Sequence, residues 1–416
     1  MSPSCDEITT ADIIDPDRYA TEGYPHEVWK TLRRESPVHW FPMGERPGFW
    51  AITRRADIVW LSKQPERFRN GPRLAIFADS PPPDATHDGP VLDHLLNMDP
   101  PVHPRYRNLA SAWFTPRAIS RRRPEVERIA RELLGGLAER DEADFVLDLA
   151  APLTLSVLAE MLGVPRSDWQ QLFAWTNRVA GSADPEFQSE PSSIGTMTAA
   201  RDEMFAYFLE MVADRREHPR DDMVSVLGNA ELDGAPLPDF QLLSYLIVLV
   251  VAGNETTRNA ASGGLLAMME HPDELAKLQR DPSLVNAAVE ETVRWTSPVI
   301  QFCRTPTEDV ELHGQKVKAG ESLCLFYGSA NRDEEAFDEP DRFRVDRSPN
   351  PHVGFGIGQH FCLGASLARL ELRVIYEQLF PRLRRVEPAG PVERMRSSQL
   401  GGVKRMPIRY ELGASA

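Results

Sequence analysis

Cys362 stands in the run Phe355-Gly356-Ile357-Gly358-Gln359-His360-Phe361-Cys362-Leu363-Gly364, a lone thiol in a glycine-punctuated loop just before a helical pattern from Ala365 to Val374. Those residue types suit a loop that presents one thiolate as a ligand. Gly358 permits a turn with positive φ, and Gly364 lets backbone approach a flat macrocycle closely. At the N-terminal end of a helix, unpaired N–H groups and the positive dipole end stabilise an anion, so a thiolate is expected over a thiol. A second reactive group is Ala252-Gly253-Asn254-Glu255-Thr256-Thr257, inside a long helical pattern. Glycine weakens a helix and a threonine hydroxyl can capture a carbonyl of the preceding turn, so the ladder is expected to open locally and admit a small ligand such as dioxygen. Thr256 can then donate a hydrogen bond at the reacting centre while Glu255 relays protons from solvent through water, and O–O cleavage needs both.

The pattern F-x-x-G-x-H-x-C-x-G resembles the haem-binding loop of the cytochrome P-450 superfamily, and motif-level similarity runs from about Pro37 to Ile408. The resemblance implies haem b (iron protoporphyrin IX) ligated by Cys362, with Phe355, His360 and Gly364 on the sulfur side and Ala252 and Gly253 on the other, and O2 as co-substrate. The helix motif is similar to the family's A-G-x-[DE]-T, with glutamate the less common acid. A buried haem brings two propionates whose charge must be neutralised. His103 and Arg107 share a helical face at four-residue spacing, as in the family's H-x-x-x-R pair, and Arg304 and His360 match two further propionate partners. Glu291, Arg294 and Arg347 match a buried ion-pair network that holds the core behind the Cys362 loop without doing chemistry.

By family position, the substrate pocket draws on Ile76, Phe77, Val248, Val251, Ala252, Val299, Ile300, Phe302, Leu400 and Val403. These residues suit an apolar substrate. Three phrases, Val251 to Asn259, Ser329 to Glu335 and Asn350 to Gly356, look most like bacterial members that hydroxylate sterol side chains and branched lipids. The tail from Gly401 to Ile408 is similar to terpene-alcohol hydroxylases. The resemblance therefore implies a haem-thiolate monooxygenase for a steroid or terpenoid. The alternatives are a fatty-acid or other secondary-metabolite hydroxylase on the same centre, a peroxygenase, and a non-catalytic haem or small-ligand binder. Retention of Glu255 and Thr256 argues against a peroxygenase. No flavin- or nicotinamide-binding glycine fingerprint occurs, so electrons are expected from a ferredoxin and its reductase. The basic run Arg117 to Arg123, above all Arg121, Arg122 and Arg123, is a candidate docking face for an acidic ferredoxin.

These groups need a large scaffold, and 416 residues with 42% hydrophobic content supply one. The expectation is a mainly α fold with small β-sheets in one domain over residues 1–416, with residues 1–20 loosely ordered and a long central helix over the haem. That helix is read as Asp239 to Glu270, opened by Pro238-Asp239 and stopped by His271-Pro272. Further helices are expected over Phe145 to Leu162, closed by Gly163 and Pro165, and from about Thr198 to Arg216. Short strands are expected at Val38 to Phe41, Phe49 to Thr53 and Met406 to Leu412, with a hairpin over Val310 to Leu325 turning at Lys318-Ala319-Gly320. Residues Asn70 to Asp99 form a long connection that covers the pocket in the resembling family. A net charge of −15 argues against nucleic-acid binding. The longest strongly apolar stretch, Leu242 to Ala252, is too short to span a bilayer, and the N-terminus has no signal-like pattern. A cytoplasmic monomer is expected, and four cysteines without C-x-x-C spacing fit a reducing compartment.

Overall fold

The computed structural model describes residues 4–78 and 92–413. Whether the 70–99 connection is open or closed turns on 79–91, outside the described residues. Helices dominate. Those that frame the site are α1 (Val102–Ser111), α2 (Ala151–Leu162), α3 (Trp169–Ala180), α4 (Ser193–Glu217), α5 (Asp239–Glu270), α6 (Val285–Thr296) and α7 (Ala365–Leu379). A five-stranded sheet contains β1 (Val38–Met43), β2 (Arg46–Ile52), β3 (Phe68–Arg69), β4 (Gln301–Pro306) and β5 (Ser322–Phe326), in the order β1-β2-β5-β4-β3. Strand β5 runs parallel to β2 and antiparallel to β4.

The long helix α5 has the expected bounds, and its 32 residues span about 48 Å at 1.5 Å per residue. Pro238 precedes its first turn, and His271, whose N–H still reaches Ala267 O at 2.9 Å, hands over to Pro272. By length and composition alone α5 is long and apolar enough to cross a membrane, yet most of its apolar stretch is buried inside the fold, as in the core helix of a globular protein. It packs against α2, α3, α4, α6 and α7, which explains why it is apolar on more than one face. Helix α2 ends at Gly163 with φ of 79°, the left-handed C-terminal stop expected of that glycine.

Several expectations need correction. Residues 4–20 are not loose: Cys5–Glu7, Ala11–Ile14 and Pro16–Thr21 are short helices, and Ile13, Ile14 and Tyr19 are buried in a cluster with Trp29, Phe41 and Phe49. Asp15 accepts the Asp17 N–H at 2.9 Å and Tyr19 donates to Ile13 O at 2.7 Å, so local bonds and apolar burial together offset the entropy of ordering. The hairpin pairs Val310–Leu312 with Gln315–Val317 around His313 and Gly314, both at positive φ, while β5 leaves it to join the main sheet. Helix α4 starts at Ser193 rather than near Thr198, because the Ser192 hydroxyl accepts the Gly195 N–H at 3.0 Å and caps it.

Candidate active site

The Cys362 loop is shaped by its glycines. Gly358 has φ of 76°, and a Cβ there would lie 2.2 Å from Ser62 O, so both conformation and space demand glycine. Cys362 N donates to Phe355 O at 2.8 Å, turning the thiol into a cavity of about 1110 Å³. Nothing lies within 4 Å of a Cβ built on Gly364, which leaves clear space beside the sulfur for a flat group. The loop is braced from behind by Arg369, whose guanidinium stands 4.3 Å over the Phe355 ring and bonds Glu290 at 2.6 and 2.8 Å. His352 reaches the same carboxylate at 3.0 Å. Sequence reading missed Glu290, His352 and Arg369, whose only signal was the proximity of each to a motif residue.

One electrostatic expectation fails. Cys362 opens to the cavity but is enclosed by protein elsewhere, and that burial pushes its thiol pKa up. The Gly364 N–H, Arg107 and Arg369 pull it down without overcoming the burial. The helix end alone therefore does not deliver a thiolate; coordination to a metal would, because a coordinating thiol is deprotonated outright.

Helix α1, Arg304 on β4 and His360 bring four basic groups to the cavity wall. The His103 and His360 rings are tilted against each other with centroids 4.1 Å apart. Both ring nitrogens of buried His103, and Nε2 of His360, lack a hydrogen-bond partner. Arg107 donates to Phe361 O at 2.7 Å and Arg304 to Cys303 O at 2.7 Å, and neither has a carboxylate partner among the described residues. Burial and then the Arg107 charge push His103 down to about 4; burial, His103 and the two arginines push His360 down to about 2. Buried basic groups without counter-charges are what two propionates would satisfy, and with the open thiol they fit a haem.

Across the cavity, Ala252, Gly253 and Thr256 line the wall, but Glu255 does not. Helix α5 stays continuous through 251–257, so the expected opening is absent. The carbonyl capture is present: Thr256 Oγ1 donates to Ala252 O at 2.8 Å. The hydroxyl hydrogen rotates freely enough to re-aim into the cavity. Gly253 makes room for Leu158 of α2, whose methyls would lie 3.3 Å from an added Cβ.

Glu255 is fully buried on the far side of α5 and ion-paired with Arg258 one turn on. Arg258 also donates to Asn177 Oδ1 of α3 at 3.0 Å, and Asn254 links Thr154 of α2 at 2.9 Å to Thr176 of α3 at 3.0 Å. Burial raises the Glu255 pKa above the usual carboxylate range, with Arg258 pulling against it.

The substrate side corrects three assignments. Phe77, Val248, Val251, Ala252, Val299, Phe302 and Leu400 line the cavity; Ile76, Ile300 and Val403 do not. Ile76 exchanges backbone bonds with the Gln301 amide at 3.2 and 2.6 Å, and Ile300 pairs with Gln399 and Tyr327, so both side chains turn into the core. Val403 starts a short strand and packs with Met406 and Ile408 in the large core cluster. Sequence reading missed His94 and Leu96 of the 92–97 segment, and Val179, Ile194 and Met197 around the α3–α4 connection, which belong to no motif.

The ion-pair network is present and fully bonded. Arg294 bonds both Glu291 oxygens at 2.7 Å and Arg347 Nε reaches them at 3.0 and 3.2 Å, all three side chains being buried. The remaining guanidinium donors go to carbonyls, including Asn331 O, Pro340 O and Arg342 O. It sits behind the site and does not line the cavity.

Comparison with known proteins agrees with this geometry. Residues 167–412 match the family model described as Cytochrome P450. A steroid C26-monooxygenase of Rhodococcus jostii (strain RHA1) is 38% identical over 96% of this chain and 84% of that protein. A linalool 8-monooxygenase of Pseudomonas putida is 36% identical over 95% of this chain and 98% of its own length. The solved structure of Mycobacterium marinum cytochrome P450 CYP268A2 in complex with pseudoionone superposes with a TM-score of 0.89 at 35% identity, covering 98% of this chain and 99% of that one. With its thiol loop, basic cluster and alanine-glycine-acid-threonine helix placed around one cavity, the chain belongs to the cytochrome P450 family of monooxygenases.

Proposed function

We propose that this enzyme inserts one oxygen atom of O2 into a C–H bond of an apolar steroid or terpenoid, using haem b held by Cys362 and electrons delivered singly by a ferredoxin and its reductase. The observation that carries this is the shared cavity: Cys362 and Thr256 line it together with a mostly aliphatic and aromatic wall of Phe77, Val248, Val251, Val299 and Phe302. A thiolate-ligated haem supplies the O2 chemistry by pushing electron density to favour O–O cleavage. The chain's own residues do the rest. His103, Arg107, Arg304 and His360 would hold the propionates, and Phe355 and Gly364 would flank the ring. Thr256 Oγ1 would offer a proton on the cavity side of α5, and Glu255, buried behind it and paired with Arg258, would resupply it by way of water. The apolar wall excludes water and fixes which C–H bond is presented, since positioning decides the product. The named activities of the two curated relatives support a steroid or terpenoid as substrate class.

The electron donor would meet the basic face only in part. Arg122 pairs with Glu125 and stacks on Trp113, and Arg123 pairs with Glu127 and Glu377. Arg117 and Arg121 are exposed and have no acidic partner among the described residues, so they carry the docking proposal. The test of function has two steps. The reduced, carbon-monoxide-treated protein should show the red-shifted Soret band of a sulfur-ligated haem, and steroids or terpenoids should shift the ferric spin state. Thr256→Ala should then keep reductant consumption but release peroxide in place of product. Unchanged coupling in that variant counts against Thr256 as proton donor.

A further inference from the structure

Along α5 the cavity wall is apolar, through Ile247, Val248 and Val251, but facing it is a histidine outside the basic cluster, His94. The segment that carries it is fixed from several sides. Asp93 N donates to Ser244 Oγ at 3.2 Å, and Gln241 Nε2 reaches Asp93 Oδ2 at 3.0 Å, tying the segment to α5. His94 N donates to Asn97 Oδ1 at 2.9 Å, and Asn70 Nδ2 donates to Leu96 O at 2.8 Å. The side chain itself is buried, with 8% exposure.

Its tautomer follows from one hydrogen bond. Leu96 N donates to His94 Nδ1 at 3.3 Å, so Nδ1 is an acceptor and, in the neutral ring, the proton sits on Nε2. No other described residue accepts a hydrogen bond from that N–H. His94 lines the cavity, and Nε2 is not among the sealed, unpartnered nitrogens that include both of His103.

We propose that His94 is a specificity-determining donor, whose Nε2–H binds an uncharged oxygen, a ketone or hydroxyl, at the end of an apolar substrate remote from the oxidised carbon. The inference rests on the steroid or terpenoid reading above. Ser244, the anchor of this segment, precedes Thr256 by twelve residues on α5, about 18 Å of helix. An elongated ligand therefore offers its polar end to His94 and its far carbon to the Thr256 side. A carboxylate suits the position less. The arginines that line the cavity, Arg107 and Arg304, belong to the propionate cluster, and burial holds the His94 imidazole down to about 4, uncharged at neutral pH. A site built to bond an oxygen rejects the analogue that lacks it, because its own donor is then left unpaired.

The test is a spin-state titration of the ferric holoenzyme at pH 7.5 with matched pairs: a steroid bearing a 3-ketone and the same skeleton without it, and a terpene ketone and its parent hydrocarbon. Wild type should bind the oxygenated member 10- to 100-fold more tightly. His94→Phe should erase that ratio by weakening the oxygenated member alone, and His94→Gln, which keeps a donor, should restore part of it. A carboxylate-ended analogue should bind no better than the hydrocarbon. Equal weakening of both members in His94→Phe, or a fall in its haem content read from the Soret band, overturns the assignment in favour of packing or propionate contact. If no steroid or terpenoid shifts the wild-type spectrum, the substrate reading has failed and the inference falls with it.

Discussion

His103 and His360 meet ring against ring, centroids 4.1 Å apart, although they come from opposite ends of the chain and both are basic. Arg107 and Arg304 further disfavour a positive charge on His360. The pairing makes sense around an anion, which both imidazoles and both guanidiniums would bond. His103→Ala and Arg304→Ala should each cost about 1.5–3 kcal/mol of haem affinity, the usual worth of a hydrogen bond to a charged group. Haem content per chain after gel filtration, read from the Soret band, checks this.

Glu255 and Arg258 form a buried pair whose members have few other partners. Removing one end strands the other charge, so Arg258→Ala should lose about 3–5 kcal/mol of unfolding free energy. The double variant Glu255→Gln/Arg258→Ala should be less damaged than the two single losses added together. Urea denaturation of the four proteins gives the coupling directly. Additive losses would mean that the contact contributes nothing as a pair.

The Glu291–Arg294–Arg347 network is buried, bonded on nearly every donor and outside the cavity wall, so its loss should appear as stability before specificity. Arg347→Ala should unfold with about 3–5 kcal/mol less resistance and lose haem faster. The surviving holoenzyme should keep the wild-type ranking of substrates in spin-state titrations. A changed ranking at full haem content would contradict a purely structural role.

What could be read in the sequence depended on whether a residue's role is fixed by its immediate neighbours. Gly358 and the long helix from Asp239 to Glu270 are specified by turn geometry and helix stops, and the structure has them as expected. Phe302 and Arg304 face the cavity because alternate residues of β4 share a side, whereas Ile300 lies just before that strand, where backbone pairing turns it inward. Ile76 and Val403 were likewise misplaced because their facing is set by partners far along the chain. The order of residues 4–20 rests on local bonds and on burial of Ile13, Ile14 and Tyr19 against Trp29, Phe41 and Phe49, partners that lie outside the segment.

Gly358→Ala joins two penalties that a side chain cannot escape: φ of 76°, and a Cβ 2.2 Å from the backbone oxygen of Ser62. The Cys362 loop must move, and with it the hydrogen bond from Cys362 N to Phe355 O. The variant should fold with nearly wild-type far-ultraviolet circular dichroism, because the strain is confined to a loop, but should give little sulfur-ligated carbon-monoxide spectrum. A normal spectrum would show that the loop tolerates the shift.

Glu371, on α7 among cavity-lining residues, is buried with Oε2 unpartnered, and desolvation alone raises its pKa well above the usual carboxylate range. The consequence has a definite sign. Between the unfolded and folded pKa values the unfolded chain has released the proton that the folded chain retains, so stability falls as pH rises through that window. Below it, both states are protonated and the carboxyl exacts no charge penalty. Glu371→Gln removes the titration while keeping the shape. Its melting temperature relative to wild type should therefore climb as pH is raised from 4 to 8, reaching an advantage on the order of 1–3 kcal/mol, the cost of an uncompensated buried polar group. A difference that stays flat across that range would mean that Glu371 finds a partner or solvent in solution.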